Sequence, residues 1–189
     1  MSRKHKVFDS SKAYFITSSI VKWVKVFNDP AIMKILLDTI GFYQINKGFE
    51  IYSYCLMPDH FHMLCRSSNQ STLPMIMRDL KKYTSRMIIS ELESKRQQWA
   101  TESLEIFKIV NRNSKREHVY SVWQRGYNPI ECTSNKFIDQ KMKYIHNNPV
   151  EAGLVSVADE YPYSSAQDYV GIQGPLEVIL VSASKWETY

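Results

Sequence analysis

The stretch "LMPDHFHMLCR", residues 56–66, decides the fold of this chain. One β-prone run ends at a Pro-Asp pair, and a second β-prone run begins directly after that pair. Pro58 presets its own φ angle, and the Asp59 side chain can bond back to the backbone, which is typical of a tight turn. The pattern therefore predicts a β-hairpin, with one strand over 50–57 and the returning strand over 60–66.

Hydrophobic periodicity predicts further strands and helices on both sides of the hairpin. In chain order we expect a strand over 13–21, a helix that begins at Pro30, the hairpin, a helix over 73–91, a mostly helical stretch over 92–110, a short strand over 119–124, and a helix over 134–148 that Ser134 caps and Pro149 stops. This order indicates an α+β, ferredoxin-like (split βαβ) sandwich with a central antiparallel sheet. We expect helices to cover one face of the sheet and the other face to be free for a partner.

Length and composition set the class of protein. The 189 residues predict a single domain, with a core over about 13–149 and a loop-rich C-terminal tail over 150–189. No apolar run approaches the ~20 residues of a membrane span, so we expect no membrane partner. The N-terminus lacks the apolar core of an export signal, and the three cysteines lack CxxC spacing. A reduced, cytoplasmic setting is the prediction.

The charge is unevenly distributed along the chain. The tail over 150–189 carries six acidic residues and one basic residue, so residues 1–149 carry 23 basic and 13 acidic residues, a net charge of +10. The whole-chain charge of +5 therefore conceals a strongly basic body. Such a body predicts a polyanionic partner, most often nucleic acid, although a basic surface that only promotes solubility fits the same numbers.

The returning strand of the hairpin carries two histidines. Residues i and i+2 of a strand point to the same face, so His60 and His62 project together and form half of a metal site. Two ordinary surface histidines are the alternative. The candidates for a third ligand are Asp59, His118, Glu131, His146, Asn147 and Asn148. A carboxylate would suit a transition metal, whereas an amide oxygen with water or phosphate would suit Mg²⁺ or Mn²⁺.

The helix over 134–148 holds a second constellation. Tyr144 and Asn148 are spaced i, i+4 and lie on one helix face, Asn147 is close at i+3, and His146 points away. A phenol can act as a covalent nucleophile when a metal polarises the phosphate that it attacks. A packed tyrosine near a helix end is the simpler interpretation, and spacing alone does not single out Tyr144.

The motifs together resemble a known family. "MPDHFHMLC" resembles the HUH motif, and "WQRGY", "YIHNNPVEAGLV" and "YPYSSAQDY" resemble the second half of the REP-associated tyrosine transposases, which are single-tyrosine HUH transposases of the insertion-sequence type. The resemblance runs from about residue 14 to 178. It implies cleavage of single-stranded DNA, with hairpin recognition, through a 5′-phosphotyrosine on Tyr144. It also implies that His60, His62 and Asn148 hold a divalent metal, Mg²⁺ or Mn²⁺.

The basic and aromatic residues suit a DNA partner. On the helix over 73–91 the predicted buried stripe consists of Leu73, Ile76, Leu80, Tyr83 and Met87. The basic residues that fall largely off this stripe, and that could follow a DNA backbone, are Arg78, Lys81, Lys82 and Arg86. Trp123 and Tyr127, beside Arg125, could stack on bases or clamp a phosphate. A solvated helix face and a core tryptophan are the simpler alternatives.

Two rival functions fit parts of the sequence. A domesticated nucleic-acid-binding module of the same fold would grip DNA without cleaving it, but intact His60, His62, Tyr144 and Asn148 favour the enzyme. A small metallohydrolase would need a general-base carboxylate, for which Asp59 is the local candidate, and the turn explains that residue better. The sequence predicts neither the DNA target nor whether the protein is a monomer or a homodimer.

Overall fold

The computed structural model of the chain describes residue 9 and residues 12–68, 71–112 and 119–181. The helices and strands are β1 (Tyr14–Ser19), α1 (Pro30–Lys47), β2 (Phe49–Leu56), β3 (His60–Ser67), α2 (Leu73–Ser94), α3 (Gln98–Arg112), β4 (Ile130–Glu131), α4 (Asn135–Glu151) and α5 (Ala166–Tyr169). Across these residues, no helix has the length and apolar character needed to cross a membrane.

The strands form one antiparallel sheet in the order β2-β3-β1-β4. Because β3 lies between β1 and β2, the β1-α1-β2 unit is a split βαβ unit, and the predicted ferredoxin-like fold is confirmed. The predicted hairpin is also confirmed. Its turn is closed by a hydrogen bond from the Met57 N–H to the His60 carbonyl, at 2.8 Å.

Local sequence explains where α1 begins and ends. The Asp29 carboxylate accepts hydrogen bonds from the N–H groups of Ala31 and Ile32, at 3.1 and 3.2 Å, and satisfies donors that the first turn leaves open. Pro30 occupies the first helical turn, where its missing N–H costs nothing. Gly48 ends the helix at φ 62°, a left-handed conformation that suits glycine.

The two faces of the sheet are covered by different helices. On one face, α1 and α2 pack over a large apolar core that includes Ile16, Leu36, Ile40, Tyr54, Phe61, Met63 and Leu80. On the other face, α4 packs over a smaller cluster that includes Phe15, Cys55, Leu64, Ile138 and Ile145. The expectation of one free face is therefore wrong, because the apolar side of α4 needs burial and finds it on that face.

The end of α4 also differs from the prediction. Pro149 lies inside the helix and does not stop it. A proline removes only one helical hydrogen bond, and this proline is itself buried in packing that holds the helix. The helix ends at Glu151; Gly153, two residues later, adopts φ 68°, and the Leu154 N–H bonds back to the Pro149 carbonyl at 2.9 Å. The predicted cap is present, since the Ser134 hydroxyl accepts from the Phe137 N–H.

The predicted strand over 119–124 is wrong in position. The strand that completes the sheet is β4, which pairs with the first two residues of β1. Within 119–124, Trp123 forms only an isolated bridge with Ile20. Between this bridge and β4, Gly126 adopts φ 78° and interrupts the regular ladder, although the Thr17 N–H still donates to the Tyr127 carbonyl at 3.0 Å.

The buried stripe of α2 is rotated from the predicted one. Tyr83 and Met87 are 49% and 36% exposed, so their assignment to the core is wrong. The buried residues of this helix are Leu73, Ile76, Met77, Leu80, Thr84, Ile88 and Leu92. A threonine enters the stripe because its hydroxyl can bond within the helix, here to the Leu80 carbonyl at 2.8 Å.

The C-terminal tail packs along the outer edge of β2. The N–H of Leu56 donates to the Tyr163 carbonyl at 2.9 Å, and the N–H of Ser165 donates to the Tyr54 carbonyl at 3.0 Å. The tail thus covers a strand edge that would otherwise expose unpaired backbone groups. The boundary suggested at residue 149 falls inside α4, and so the helix itself links the core to the tail.

Candidate active site

The two histidines of β3 share the sheet face that α4 covers. The ring centroids of His60 and His62 lie 4.8 Å apart, with their planes at 76°. The pairing of β3 with β1 places these residues opposite Ser19 and Thr17. The common orientation follows from the strand register, which holds both imidazoles in fixed positions on one face.

His60 is oriented by the neighbouring carboxylate. Its Nδ1 atom lies 2.5 Å from Oδ1 of Asp59. The backbone of Asp59 is held in turn, because its carbonyl accepts a hydrogen bond from the Ile20 N–H at 2.8 Å. Occupation of Nδ1 leaves Nε2 as the nitrogen available to a ligand. A carboxylate in this position commonly orients a metal-binding histidine.

His62 is oriented by the neighbouring strand and is kept neutral. Its Nδ1 atom lies 2.7 Å from the Thr17 hydroxyl oxygen, and its ring stacks on Phe15 with centroids 5.5 Å apart. Burial lowers the pKa of His62 to about 3, with smaller contributions from His60 and Lys141. The imidazole is therefore uncharged near neutral pH, which is the form that binds metal ions.

Tyr144 of α4 reaches across to the other ring nitrogen of His62, Nε2. Its hydroxyl oxygen lies 3.4 Å from Nε2 of His62, and the two ring centroids are 5.1 Å apart. The edge of the Tyr144 ring packs against Phe15, with centroids 5.9 Å apart. The side chain remains 41% exposed. A phenol thus stands beside the histidine and is open to a substrate.

A lysine places a positive charge over this cluster. The Nζ atom of Lys141 lies 4.5 Å from the centroid of the Phe15 ring and 5.6 Å from that of Tyr144. Lys141 precedes Tyr144 by three residues, so one turn of α4 carries both groups. The cation suits an anionic group that approaches the phenol.

A hydrogen bond to the tail fixes the position of α4. The Nε2 atom of His146 lies 2.8 Å from the hydroxyl oxygen of Ser165, which also accepts from the Tyr54 N–H of β2 at 2.8 Å. Burial lowers the pKa of His146 to about 4, so this imidazole is also neutral near neutral pH. His146 therefore points away from Tyr144, as predicted, and joins α4 to the tail and to β2.

Asn148 is the remaining candidate for a third metal ligand. Its side-chain N–H donates to the Tyr144 carbonyl at 2.8 Å, which fixes the amide group. Three of the other candidates have partners of their own: Asp59 bonds to His60, His146 bonds to Ser165, and Asn147 donates to Glu151. Glu131 points to the other face of the sheet, because its neighbour Ile130 on β4 pairs with Phe15. His118 lies outside the described residues. Within the described ranges, His, Cys, Asp and Glu side chains form no cluster of three that could hold a metal.

The predicted basic helix lies across the sheet from this site. Arg78, Lys82 and Arg86 are exposed on α2, which packs on the face opposite α4. The Arg78 guanidinium is paired with Asp79 at 2.7 Å. Lys81 has a structural role, because its Nζ donates to the carbonyls of Gln124 and Gly126, and burial lowers its pKa to about 8. The structure therefore separates the α2 cations from Tyr144.

The three candidates of the "WQRGY" segment also differ in placement. Trp123 is 7% exposed, and its indole N–H donates to the Thr84 hydroxyl at 3.0 Å, so it belongs to the core. Tyr127 is half-buried, and burial raises its pKa to about 12. Arg125 is exposed. It lines a groove of about 610 Å³, together with Lys82 and Arg86, between α2 and residues 119–125.

Sequence reasoning missed three residues that complete the site: Thr17, Phe15 and Lys141. The helical spacing of Lys141 from Tyr144 is a signal that could have found it. Thr17 and Phe15 give no such signal. Which residues of β1 face His62 depends on strand register, and register emerges only when the sheet is assembled.

A family model and a curated protein both match this chain. The family model described as "Transposase IS200 like" matches residues 11–105. A Haemophilus influenzae protein named as a REP-associated tyrosine transposase is 26% identical over 118 residues, which are 62% of this chain and 58% of that protein. The chain thus matches somewhat more than half the length of this curated relative.

The solved structures similar to this chain include the following two. One is a REP-associated tyrosine transposase bound to a REP hairpin, with a TM-score of 0.65, 17% identity, and coverage of 97% of this chain and 96% of that one. The other is a Deinococcus radiodurans R1 protein named as a transposase, with a TM-score of 0.42, 22% identity, and coverage of 78% and 97%. The first of these shows that the fold is shared over nearly the whole chain.

Proposed function

This chain belongs to the IS200-like transposase family, and from that membership we propose that it cleaves and rejoins single-stranded DNA through a covalent bond to Tyr144. The membership confirms the resemblance to insertion-sequence transposases that the motifs predicted. The proposal rests on a contact between two segments that are distant in the sequence. The Tyr144 hydroxyl of α4 lies 3.4 Å from Nε2 of His62 on β3.

The donor set fits a divalent cation. The Nδ1 atoms of His60 and His62 are bound to Asp59 and Thr17, so both Nε2 atoms remain as ligands on one face. The side-chain oxygen of Asn148 would be the third ligand. Two imidazoles with an amide oxygen suit Mn²⁺ or Mg²⁺ that also takes water and phosphate oxygens. When bound, the cation supplies Lewis-acid polarisation of the scissile phosphate.

Tyr144 is the proposed nucleophile. Its oxygen attacks the phosphorus of the scissile phosphate and gives its proton to water, while the bond from phosphorus to the 3′-oxygen breaks and that oxygen takes up a proton from water. The products are a 5′-phosphotyrosine and a free 3′-hydroxyl. Attack on the phosphotyrosine by the 3′-hydroxyl of another strand end restores the tyrosine and joins the two strands.

Other residues position the reacting groups. The attack depends on placement of the phenol and on positive charge beside the phosphate. Lys141 supplies such a charge one helical turn from Tyr144. Phe15 packs against both the His62 ring and the Tyr144 ring and holds them at a fixed separation.

Hairpin DNA with single-stranded flanks is the proposed substrate. The basic body of the chain suits a nucleic acid, and exposed Lys82, Arg86 and Arg125 offer phosphate contacts around the groove beside α2. The structure similar to this chain is a transposase bound to a REP hairpin, which supports a hairpin as the form to test first.

Covalent trapping tests the proposal. The full chain is incubated with labelled hairpins that carry single-stranded flanks, in Mg²⁺ or Mn²⁺, and resolved on a denaturing gel. The parent protein is expected to form a protein–DNA adduct that Tyr144→Phe does not form. Tyr83→Phe is the matched control, because Tyr83 is a similarly exposed tyrosine on the opposite side of the sheet. Binding of the hairpins with no adduct in the parent would identify a binding module instead.

A further inference from the structure

An exposed tryptophan stands in a strained loop after β1. Trp23 is 61% exposed, although an indole is usually among the most buried side chains of a small domain. The backbone of Trp23 has φ 52°, and that of Lys22 has φ 54°. Two consecutive residues with side chains rarely adopt this left-handed region, because the Cβ atom is crowded there. Strain of this kind often marks a functional segment.

Hydrogen bonds tie this loop to the histidine end of the sheet. The Trp23 N–H donates to the Ile20 carbonyl at 3.1 Å, and the Ile20 N–H donates to the Asp59 carbonyl at 2.8 Å. Farther along the loop, the Phe27 N–H donates to the Pro58 carbonyl at 3.0 Å. The loop over 20–28 is thus bound at two points to the turn that carries His60. The loop backbone is therefore fixed against the turn that precedes His60.

Exposed basic residues adjoin Trp23 in the chain. Lys22 and Lys25 flank Trp23 in the sequence, and both are exposed. Arg125 is exposed on the adjoining segment, where the N–H of Gln124 donates to the Ser19 carbonyl at 2.8 Å. Two carboxylates of this region are engaged, since Asp59 bonds to His60 and Asp29 pairs with Lys95 at 3.0 Å, while the exposed Glu102 lines a cavity beside Lys25. The local field therefore favours an anionic ligand.

We propose that Trp23 is a stacking platform for an unpaired nucleobase of DNA, with Lys22 and Lys25 contacting the phosphates on either side. An exposed aromatic ring between cations is the arrangement with which proteins bind single strands. The rigid loop lowers the entropy cost of holding the ring in place. The loop that carries Trp23 is bonded to the Pro58–Asp59 turn, so a strand seated on Trp23 would pass the end of the sheet where His60 begins β3. The inference rests on the proposed function, because it assigns the strand that enters the candidate active site.

Two probes with equal charge test the stacking. One is a fluorescein-labelled oligothymidine of about 20 nucleotides, and the other is an abasic strand with the same number of phosphates. Anisotropy titrations at fixed salt are expected to show tighter binding of the parent to the oligothymidine. Trp23→Ala should weaken that binding by about 5- to 150-fold and leave binding to the abasic strand nearly unchanged. Trp23→Phe should retain part of the preference, and Phe42→Ala, an exposed aromatic on α1, should retain all of it.

Indole fluorescence gives a second readout that does not depend on Trp23→Ala being folded. Oligothymidine is expected to quench the emission of the parent, and Trp23→Phe should lose most of that quenching. Equal binding of the two probes by the parent, or unchanged titrations in the Trp23 variants, would overturn the stacking site. Adduct formation by Tyr144 would then still support the proposed function, whereas loss of the adduct together with loss of all DNA binding would overturn both.

Discussion

The two faces of the sheet use the same strands for different purposes. The face under α1 and α2 carries a continuous apolar core, in which Phe61 is fully buried and packs against Trp123 with ring centroids 5.6 Å apart. The face under α4 carries polar groups among its apolar ones, and His62 is buried there between Thr17 and Tyr144. Residues 61 and 62 are neighbours in β3 and point to opposite faces, so one side chain packs in the core and the next lies in the candidate active site.

The difference teaches where stability and function are separated. Large apolar side chains on the α1–α2 face contribute stability through area removed from water. Polar side chains on the α4 face require specific partners, and those partners come from β1, β3 and α4 at once. Substitutions on the α1–α2 face should therefore lower stability, and substitutions on the α4 face should lower activity. Each prediction below tests that separation, beginning with the largest expected effect.

Replacement of His62 should abolish chemistry without abolishing the fold. His62→Ala removes one of the two proposed imidazole ligands and is expected to lower adduct formation at least about 100-fold, because the proposed metal-assisted step loses its support. The free energy of unfolding should fall by only about 1 kcal/mol. Gel quantification of the adduct, with urea unfolding on the same samples, measures both quantities. Adduct formation equal to that of the parent across Mg²⁺ and Mn²⁺ titrations would break the comparison.

Replacement of the adjacent residue should do the reverse. Phe61→Ala leaves a cavity in the large core and is expected to lower the free energy of unfolding by about 3–5 kcal/mol. The fraction that remains folded should still form the adduct, since Phe61 faces away from the site. Urea unfolding gives the stability, and the adduct yield is compared per folded molecule. A stable variant that lacks the adduct would contradict the assignment of this face.

Loss of the hydroxyl behind His62 should weaken metal binding. Thr17→Val keeps the shape of the side chain but removes the oxygen that lies 2.7 Å from Nδ1 of His62. Loss of a hydrogen-bond partner of this kind typically lowers metal affinity or activity by about 10–100-fold, which is about 1.4–2.7 kcal/mol. Isothermal titration with Mn²⁺ measures the affinity. Thr39→Val makes the same change inside α1, where the hydroxyl bonds to the Ile35 carbonyl, and should leave Mn²⁺ affinity unaltered.

Acid should destabilise the α4 face. The pKa of His62 is lowered to about 3 and that of His146 to about 4, whereas both are about 6.5 in an unfolded chain. Between these values the unfolded state binds more protons than the folded state, so the free energy of unfolding falls as pH drops from 6.5 toward 4. His146→Gln does not titrate and should reduce the loss at pH 4.5 by about 2 kcal/mol. Urea unfolding at pH 7 and pH 4.5 tests this, and an equal loss in both proteins would refute it.

Charges on the far side of the sheet should have the smallest effect. Lys82→Gln and Arg86→Gln are each expected to weaken hairpin binding a few-fold and to lower the slope of affinity against salt by about 1. Lys34→Gln removes a charge from α1 that pairs with Asp38, and it should change neither quantity. Anisotropy titrations over a range of salt supply both values. Slopes that match the parent in both α2 variants would remove these residues from the DNA surface.

Local signals predicted most of the fold. The Pro58–Asp59 turn and the two strands around it follow from residues close together in sequence, and the elements on either side follow from hydrophobic periodicity. The fourth strand was misplaced because Gly126 interrupts a β-prone run, and pairing with β1 then decides which residues join the sheet. The stop at Pro149 failed because buried packing of α4 outweighs the loss of one backbone hydrogen bond.

The candidate site was only half accessible to sequence reasoning. His60, His62, Tyr144 and Asn148 could be named from spacing and resemblance. Their supporting residues could not, because Thr17 and Phe15 enter through strand register. The sequence pattern predicts a buried Tyr83 and offers Trp123 to DNA. Tyr83 is exposed because packing of α2 against its neighbours rotates the helical stripe, and Trp123 is buried with its indole N–H bonded to Thr84.

Peptide mapping of the covalent adduct tests the central claim most directly. The parent protein is trapped with a hairpin substrate in Mn²⁺, digested with nuclease and protease, and analysed by mass spectrometry for a tyrosine that carries a nucleotide phosphate. The account predicts that the modified tyrosine is Tyr144, on the peptide from α4. A phosphotyrosine at any other of the twelve tyrosines, with Tyr144 unmodified, would contradict it.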